Sequence, residues 1–251
     1  MKKIYLSIVI PCYNEEKNLK RGVLDQIDEY LRKQKYVWEV IISDDGSTDG
    51  SLDFLKKYCR QHQEFRLLEN PHGGKVFALK SGVELAKGEI ILTTDMDQSA
   101  PIAELDKLLP FFKKGYQVVI GSRGQERKGF SLLRRLGSAV FRFFRQKLLL
   151  KEIVDTQCGF KAYQQKAAKD LFPRLLIFKK AQKVKGWRVG AFDVELLFIA
   201  QKKGYRIAEV TVKWKDEDIA QGKQRKYFKE SKQMLQEILQ VKLNDLRGFY
   251  D

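Results

Sequence analysis

The stretch Glu89-Ile-Ile-Leu-Thr-Thr-Asp95-Met96-Asp97 limits the possible folds more than any other part of the chain. Residues 90–93 are apolar or β-branched, as in a strand buried on both faces of a parallel sheet. Two carboxylates follow where that strand would end, and open α/β sheets place their ligand crevice there. A carboxylate pair separated by one residue can hold a hard divalent cation and the diphosphate bound to it. A lone Asp-x-Asp is more often a solvated turn, so its surroundings decide its meaning.

Those surroundings alternate between the two periodicities. Residues 5–10 read as a first strand stopped by Pro11, and Asn14 is suited to cap a helix whose first turn holds Glu15 and Glu16. Leu19, Val23, Ile27 and Leu31 then recur at helical spacing. Residues 38–42 form a second strand running into Ser43-Asp44-Asp45-Gly46-Ser47-Thr48-Asp49-Gly50. Here Asp and Gly serve the turn, and Ser47 or Thr48 can cap the helix that continues through Tyr58. Further strands are expected over 65–68, 116–121 and 205–214, with a turn into another strand after Val154. Helices are expected over 76–86, from Pro101 to about Lys114, and from Gly186 to about Lys202. A last helix carries Met234, Ile238 and Val241 at helical spacing. This order predicts an α/β fold with a parallel sheet and right-handed crossovers. There is no repeat, low-complexity linker or composition break, so residues 1–251 read as one domain.

Composition adds a partner class. Lysine and arginine outnumber acidic residues 48 to 32, a net charge of +16. Such a balance favours an anionic partner: a nucleic acid, a phosphorylated substrate or an acidic membrane surface. Zinc-ligand spacing, aromatic RNA-binding patterns and a helix-turn-helix are all missing, which disfavours a non-enzymatic nucleic-acid binder. Three cysteines without metal-type spacing point to a reducing, cytoplasm-facing location, and no apolar run approaches transmembrane length. The short apolar N-terminal run is interrupted by Ser7, so it reads as a core strand and not as a signal peptide.

Several other features bear on chemistry. Gly73-Gly74-Lys75 before a helix could cradle phosphate with its free amides and lysine, or could be a plain helix-start loop. It lacks P-loop spacing. Arg123 at a strand end is suited to a phosphate contact or to an ordinary surface position. Over 131–146, Leu132, Leu133, Leu136, Ala139, Val140, Phe143 and Phe144 fall on one half of a helix, while Arg134, Arg135, Arg142 and Arg145 gather on the other. That helix either lies on a membrane surface or packs on the core with a solvated arginine face. Asp193 and Glu195 suit the first turns of a helix, which explains either one without a catalytic role.

Taken together, the motifs resemble a family. The run Ile8-Val-Ile-Pro11-Cys-Tyr13-Asn14-Glu15, then Asp44-Asp45-Gly46-Ser47-Thr48-Asp49, then Asp95-Met96-Asp97, is similar to glycosyltransferase family 2. Asp155-Thr-Gln-Cys158-Gly159-Phe160-Lys161 and the stretch 191–197 resemble its polyprenyl-phosphate branch, the dolichyl-phosphate β-glucosyltransferases first and the mannose synthases next. The resemblance implies a GT-A fold with a mostly parallel, Rossmann-like central sheet flanked by helices, here with basic amphipathic surface helices. Residues 1–125 would form the nucleotide-sugar half, and 126–251 the acceptor- and membrane-facing half.

Site roles follow from the same resemblance. Pro11, Tyr13 and Glu15 would line the nucleoside pocket, with Asp44 or Asp45 bonding the base. Asn14, Lys75 and Met96 belong to the same donor-binding set. Asp95 would face ribose and diphosphate, Asp97 would join it in ligating Mg²⁺ or Mn²⁺, and Arg123 would bind a phosphate. Arg225 and Lys226 would help close over the substrates. The mannose synthases place a glutamine two residues after the second aspartate, whereas this chain has Ser99 there and Gln98 one position early. Fewer protein ligands and more water around the cation are therefore expected. The anchor at the N-terminus of the eukaryotic glucosyltransferases has no counterpart here, so attachment is expected to rest on surface helices.

The expected reaction moves a hexose from a nucleotide diphosphate sugar to a polyprenyl phosphate, with inversion, on an enzyme peripheral to the cytoplasmic membrane face. A phosphate acceptor is already ionised near neutral pH and needs basic groups to position it. Arg134, Arg135, Lys179 and Lys180 are candidates. The alternative is a saccharide hydroxyl as acceptor, which needs a base, and Asp193 is the best placed.

Overall fold

The structure is a computed structural model that describes residues 3–124, 149–150, 152–176, 192–220 and 227–251, the side chains of 227–234 excepted. Among the described residues seven strands form one sheet, β1 (Leu6–Cys12), β2 (Trp38–Asp44), β3 (Phe65–Glu69), β4 (Ile90–Thr93), β5 (Val118–Ser122), β6 (Lys161–Gln164) and β7 (Ile207–Thr211). Their order across the sheet is β3-β2-β1-β4-β6-β5-β7. Pairing is parallel throughout except at β6, which runs antiparallel to both β4 and β5. The mostly parallel sheet is the one the sequence predicts.

The strands are apolar on both faces because helices cover both. On one side, Leu6, Ile8 and Ile10 of β1 pack with α1 (Glu16–Lys20), α2 (Val23–Arg32), α3 (Ser51–Gln61) and α5 (Leu105–Lys113). On the other, Val9 and Ile41 pack with α4 (Lys75–Leu85), α6 (Gln165–Leu171), α7 (Phe192–Lys202) and α8 (Tyr227–Leu246). The orientation of β6 matters most for function. Because it is antiparallel, its beginning lies beside the end of β4, with Lys161 opposite Thr93. Cys158 and Gly159 are thereby delivered to the Asp95 turn.

Four local expectations are corrected. β1 does not stop at Pro11 but continues to Cys12, with Pro11 paired to Ser43. The side of β1 on which Val9 accepts from the Thr94 amide at 3.2 Å is also Pro11's side, and the β4 ladder has already ended there. The missing N–H therefore leaves no gap. The stripe Leu19, Val23, Ile27 and Leu31 is buried as expected, but it lies on two helices. Gly22, at φ 79°, breaks them apart in a conformation that favours glycine. Asn14 caps nothing: it sits at φ 54° and its side chain reaches across to the amide of Thr48 at 2.8 Å. Neither Ser47 nor Thr48 caps α3, whose first amide, that of Ser51, donates to Asp49 at 2.9 Å.

Candidate active site

Four buried residues carry β4 to Thr93, and the chain then turns sharply out of the sheet. Within the turn the Gln98 amide and Nε2 both donate to the Asp95 carbonyl, at 3.3 and 3.0 Å. The Ser99 amide donates to Asp97 Oδ1 at 2.9 Å, an Asx-type closure. Gln98 is held at φ 51°, an uncommon conformation for a non-glycine residue. Met96 is buried in the core, so the turn presents Asp95 and Asp97 while anchoring the residue between them. Burial pushes the Asp97 carboxyl above the ordinary range, and the charge of Asp95 adds to the shift against the Ser99 hydrogen bonds.

Cations and carboxylates alternate around this turn. Lys75, the first residue of α4, places Nζ 2.5 Å from Asp95 Oδ1. Burial opposes its charge, but Asp95, Asp193 and Asp97 outweigh that and hold the ammonium above its usual value. Lys161 is only 2% exposed; its Nζ donates to the Cys158 carbonyl and lies 2.6 Å from Asp193 Oδ1 at the start of α7. Gly159 leans on Asp95 so closely that a Cβ there would stand 2.2 Å from Oδ2. Arg123 follows β5 and is gripped by Asp155, with Nε to Oδ2 at 2.7 Å and a terminal nitrogen to Oδ1 at 2.8 Å. Its guanidinium also lies over the Trp214 ring, 5.4 Å from the centroid. Glu209 of β7 receives the amides of Val154 and Asp155, each at 2.8 Å, and so fixes the Asp155 loop to the sheet.

A second cluster lies at the ends of β1 and β2. Tyr13 stacks on His72 with centroids 4.3 Å apart and planes 17° from parallel. His72 Nδ1 lies 2.9 Å from Asp45 Oδ2, and the amides of Gly73 and Gly74 both donate to Asp45 Oδ1, at 2.8 and 3.1 Å. Those glycine amides therefore hold a protein carboxylate, which favours the helix-start loop over a free phosphate cradle among the two readings of Gly73-Gly74. Burial is the leading influence on Asp45 and raises its carboxyl; the two amides and His72 oppose it. Asp44 is occupied within its own turn by the amides of Gly46 and Ser47, at 3.1 and 3.0 Å. Glu15 is buried and accepts from Asn18 Nδ2 at 2.6 Å. Pro11 is half-buried in β1.

The sequence-predicted residues thus fall into two neighbouring groups on the same end of the sheet: Asp95, Asp97, Lys75 and Asp193 in one, and Pro11, Tyr13, Asn14, Glu15, Asp44 and Asp45 in the other. Arg225 and Lys226 lie outside the described residues, as do Arg134, Arg135, Lys179, Lys180 and the amphipathic stretch 131–146. Sequence patterns assign no role to His72, Asp155 or Lys161. Two of these belong to the motif 155–161, so a charged residue at each end of it was the available signal. The three cysteines, Cys12, Cys59 and Cys158, are free thiols.

The fold is shared with solved structures. A mannosyltransferase from Pyrobaculum calidifontis, in complex with GDP-Man and Mn²⁺, superposes with a TM-score of 0.63 at 20% identity, over 98% of this chain and 65% of its own. The fold is therefore GT-A. The family described as glycosyl transferase family 2 matches residues 7–172, and the chain belongs to it. A dolichyl-phosphate beta-glucosyltransferase of Trichomonas vaginalis is 33% identical over 85% of this chain and 65% of its own length. The human dolichyl-phosphate beta-glucosyltransferase is 34% identical over 97% of this chain and 76% of its own. The chain thus spans about two thirds to three quarters of these relatives.

Proposed function

We propose that the chain transfers a hexose from a nucleotide diphosphate sugar, UDP-glucose before GDP-mannose, to a polyprenyl phosphate such as dolichyl phosphate. Residues 1–125 would hold the donor, and 126–251 the acceptor and the cytoplasmic membrane face. The names of the relatives support glucose and a lipid phosphate.

The observation that carries the acceptor class is the state of Asp193. A hydroxyl acceptor needs a base, and the carboxylate expected to serve has Oδ1 occupied by Lys161 at 2.6 Å. Taking a proton there would strand a buried ammonium. A phosphate oxygen has no proton to lose. In the step, a phosphate oxygen lone pair forms the bond to the anomeric carbon, the bond from that carbon to the diphosphate oxygen breaks, and its electron pair leaves with the nucleoside diphosphate. Attack on the face opposite the leaving group inverts the centre.

The residues fit a divalent cation. Asp95 and Asp97 are separated by one residue, and the raised carboxyl of Asp97 reflects burial and their mutual repulsion, both relieved by a cation. Mg²⁺ or Mn²⁺ held there, with diphosphate oxygens and water completing the shell, would neutralise charge on the leaving group. Lys75, bound to Asp95, stands ready to pair with the diphosphate. Tyr13 and Asp45 would bound the nucleoside pocket with Pro11, Asn14, Glu15 and Asp44, while Met96, expected in the same set, is buried in the core and anchors the turn instead. Arg123, oriented by Asp155, keeps donors beyond the two it gives that carboxylate, and these would meet a phosphate.

A thermal-shift screen of nucleotide sugars with and without Mn²⁺ tests the donor. Stabilisation by one donor only in the presence of metal is expected. Asp97→Ala should abolish turnover with the fold retained. A variant as active as the parent removes the reading. If Asp193→Asn is nearly dead while it still binds donor, a saccharide hydroxyl becomes the acceptor.

A further inference from the structure

Arg21 stands at the end of α1 and belongs to none of the motifs, yet it joins three parts of the molecule. One terminal nitrogen donates to the carbonyl of Asp97 at 2.7 Å. The other donates to the carbonyl of Glu217 at 2.8 Å and lies 3.2 Å from its carboxylate. The segment that follows β7 passes across the Asp97 turn and is tied along its length. Lys213 donates its amide to Glu104 at 2.9 Å, Lys215 to the Ser99 carbonyl at 2.9 Å, and Glu217 to Ser99 Oγ at 3.4 Å. Asp218 receives Asn18 Nδ2 at 3.1 Å. Ser99 also closes the Asp97 side chain, so turn and strap share the same two anchors, Ser99 and Arg21.

We propose that Arg21 is a positioning residue for donor binding, setting the Asp97 turn through its carbonyl and making that setting depend on the seated strap 213–218. This rests on the proposed function, in which Asp97 ligates the cation that holds the diphosphate. A guanidinium suits the role because its rigid fork reaches two carbonyls from two nitrogens, which a single ammonium cannot reproduce. The Gln98 conformation gives the clamp something to hold: a turn at φ 51° relaxes when its outer contacts are removed.

The test uses the full chain with Arg21→Met and Arg21→Lys. Lysine keeps the charge and most of the length at a half-buried position, so it decides the matter if the methionine variant fails to fold. Both variants should bind UDP-glucose with Mn²⁺ about tenfold or more weakly, a change about 1.4 kcal/mol in size. Trypsin should cut after Lys213 and Lys215 about tenfold faster than in the parent while the melting temperature of the free protein changes little. A residue that only stabilises the fold would lower the melting temperature without moving either readout. Parental donor affinity and parental strap protection in the lysine variant would overturn the proposal. If the parent binds no nucleotide sugar, the donor reading fails instead, and cleavage of the strap still judges Arg21.

Discussion

A methyl group at position 159 would meet Asp95 Oδ2 at 2.2 Å, and the atom in the way is a carboxylate with a role in the proposed reaction. Gly159→Ala should therefore weaken donor and Mn²⁺ binding by about tenfold or more. Loss of global stability should be smaller than the loss of binding, since the carboxylate can swing outward; calorimetric titration beside thermal melting separates the two. Asp45 gives a prediction with a sign. Its folded carboxyl titrates above the unfolded value, mainly through burial, so the native state holds a proton where the unfolded chain has lost it. Stability from this group is greatest below the ordinary carboxylate value and falls as pH rises through the range just above it. Urea titrations of the parent and Asp45→Asn, from about pH 4 to pH 6, should show the parent losing ground to the variant as pH rises. A parent that gains would reverse the assignment. Asp95, Asp97 and Asp45 were legible because turn chemistry and strand ends are local. The need for glycine at 159 was not, because its cause is a contact with a distant segment.

The element that does most for the site is β6. Strand alternation foretold the parallel half of the sheet, from β3 through β4, where short connections leave little choice of neighbour. It could not foretell that β6 would enter antiparallel between two earlier strands, since nothing local to residues 161–164 names those partners. The consequence is a lysine inside the sheet, opposite the end of β4 and paired to the first turn of α7. Removing one member of such a buried pair strands the other charge, and Lys161→Met should cost about 3–5 kcal/mol. Lys161→Met with Asp193→Leu removes both charges and should recover most of that loss in denaturant unfolding. Activity is an independent readout. With a phosphate acceptor the double variant keeps measurable turnover, because no proton has to be taken; with a hydroxyl acceptor it is as dead as Asp193→Asn.

For the molecule as a whole, net charge and substrate class converge on a surface. No helix among the described residues is long and apolar enough to cross a membrane, yet the proposed acceptor carries its phosphate at a bilayer interface. A net charge of +16 supplies an attraction that requires no insertion. Each lysine or arginine near an anionic leaflet contributes about 1 kcal/mol, and the field decays within a Debye length of about 10 Å at 0.1 M salt. A few residues facing the lipid are then enough for reversible binding, provided they lie on one face. The protein should sediment with vesicles containing phosphatidylserine at low salt, stay in solution with purely zwitterionic vesicles, and dissociate from the anionic ones at about 0.5 M salt. Turnover on a lipid phosphate in those vesicles should follow the bound fraction, whereas turnover on a short, water-soluble prenyl phosphate should not. If neither vesicle binds the protein at low salt, charge is not the means of attachment. Salt-insensitive binding to both vesicles would instead assign attachment to buried apolar area.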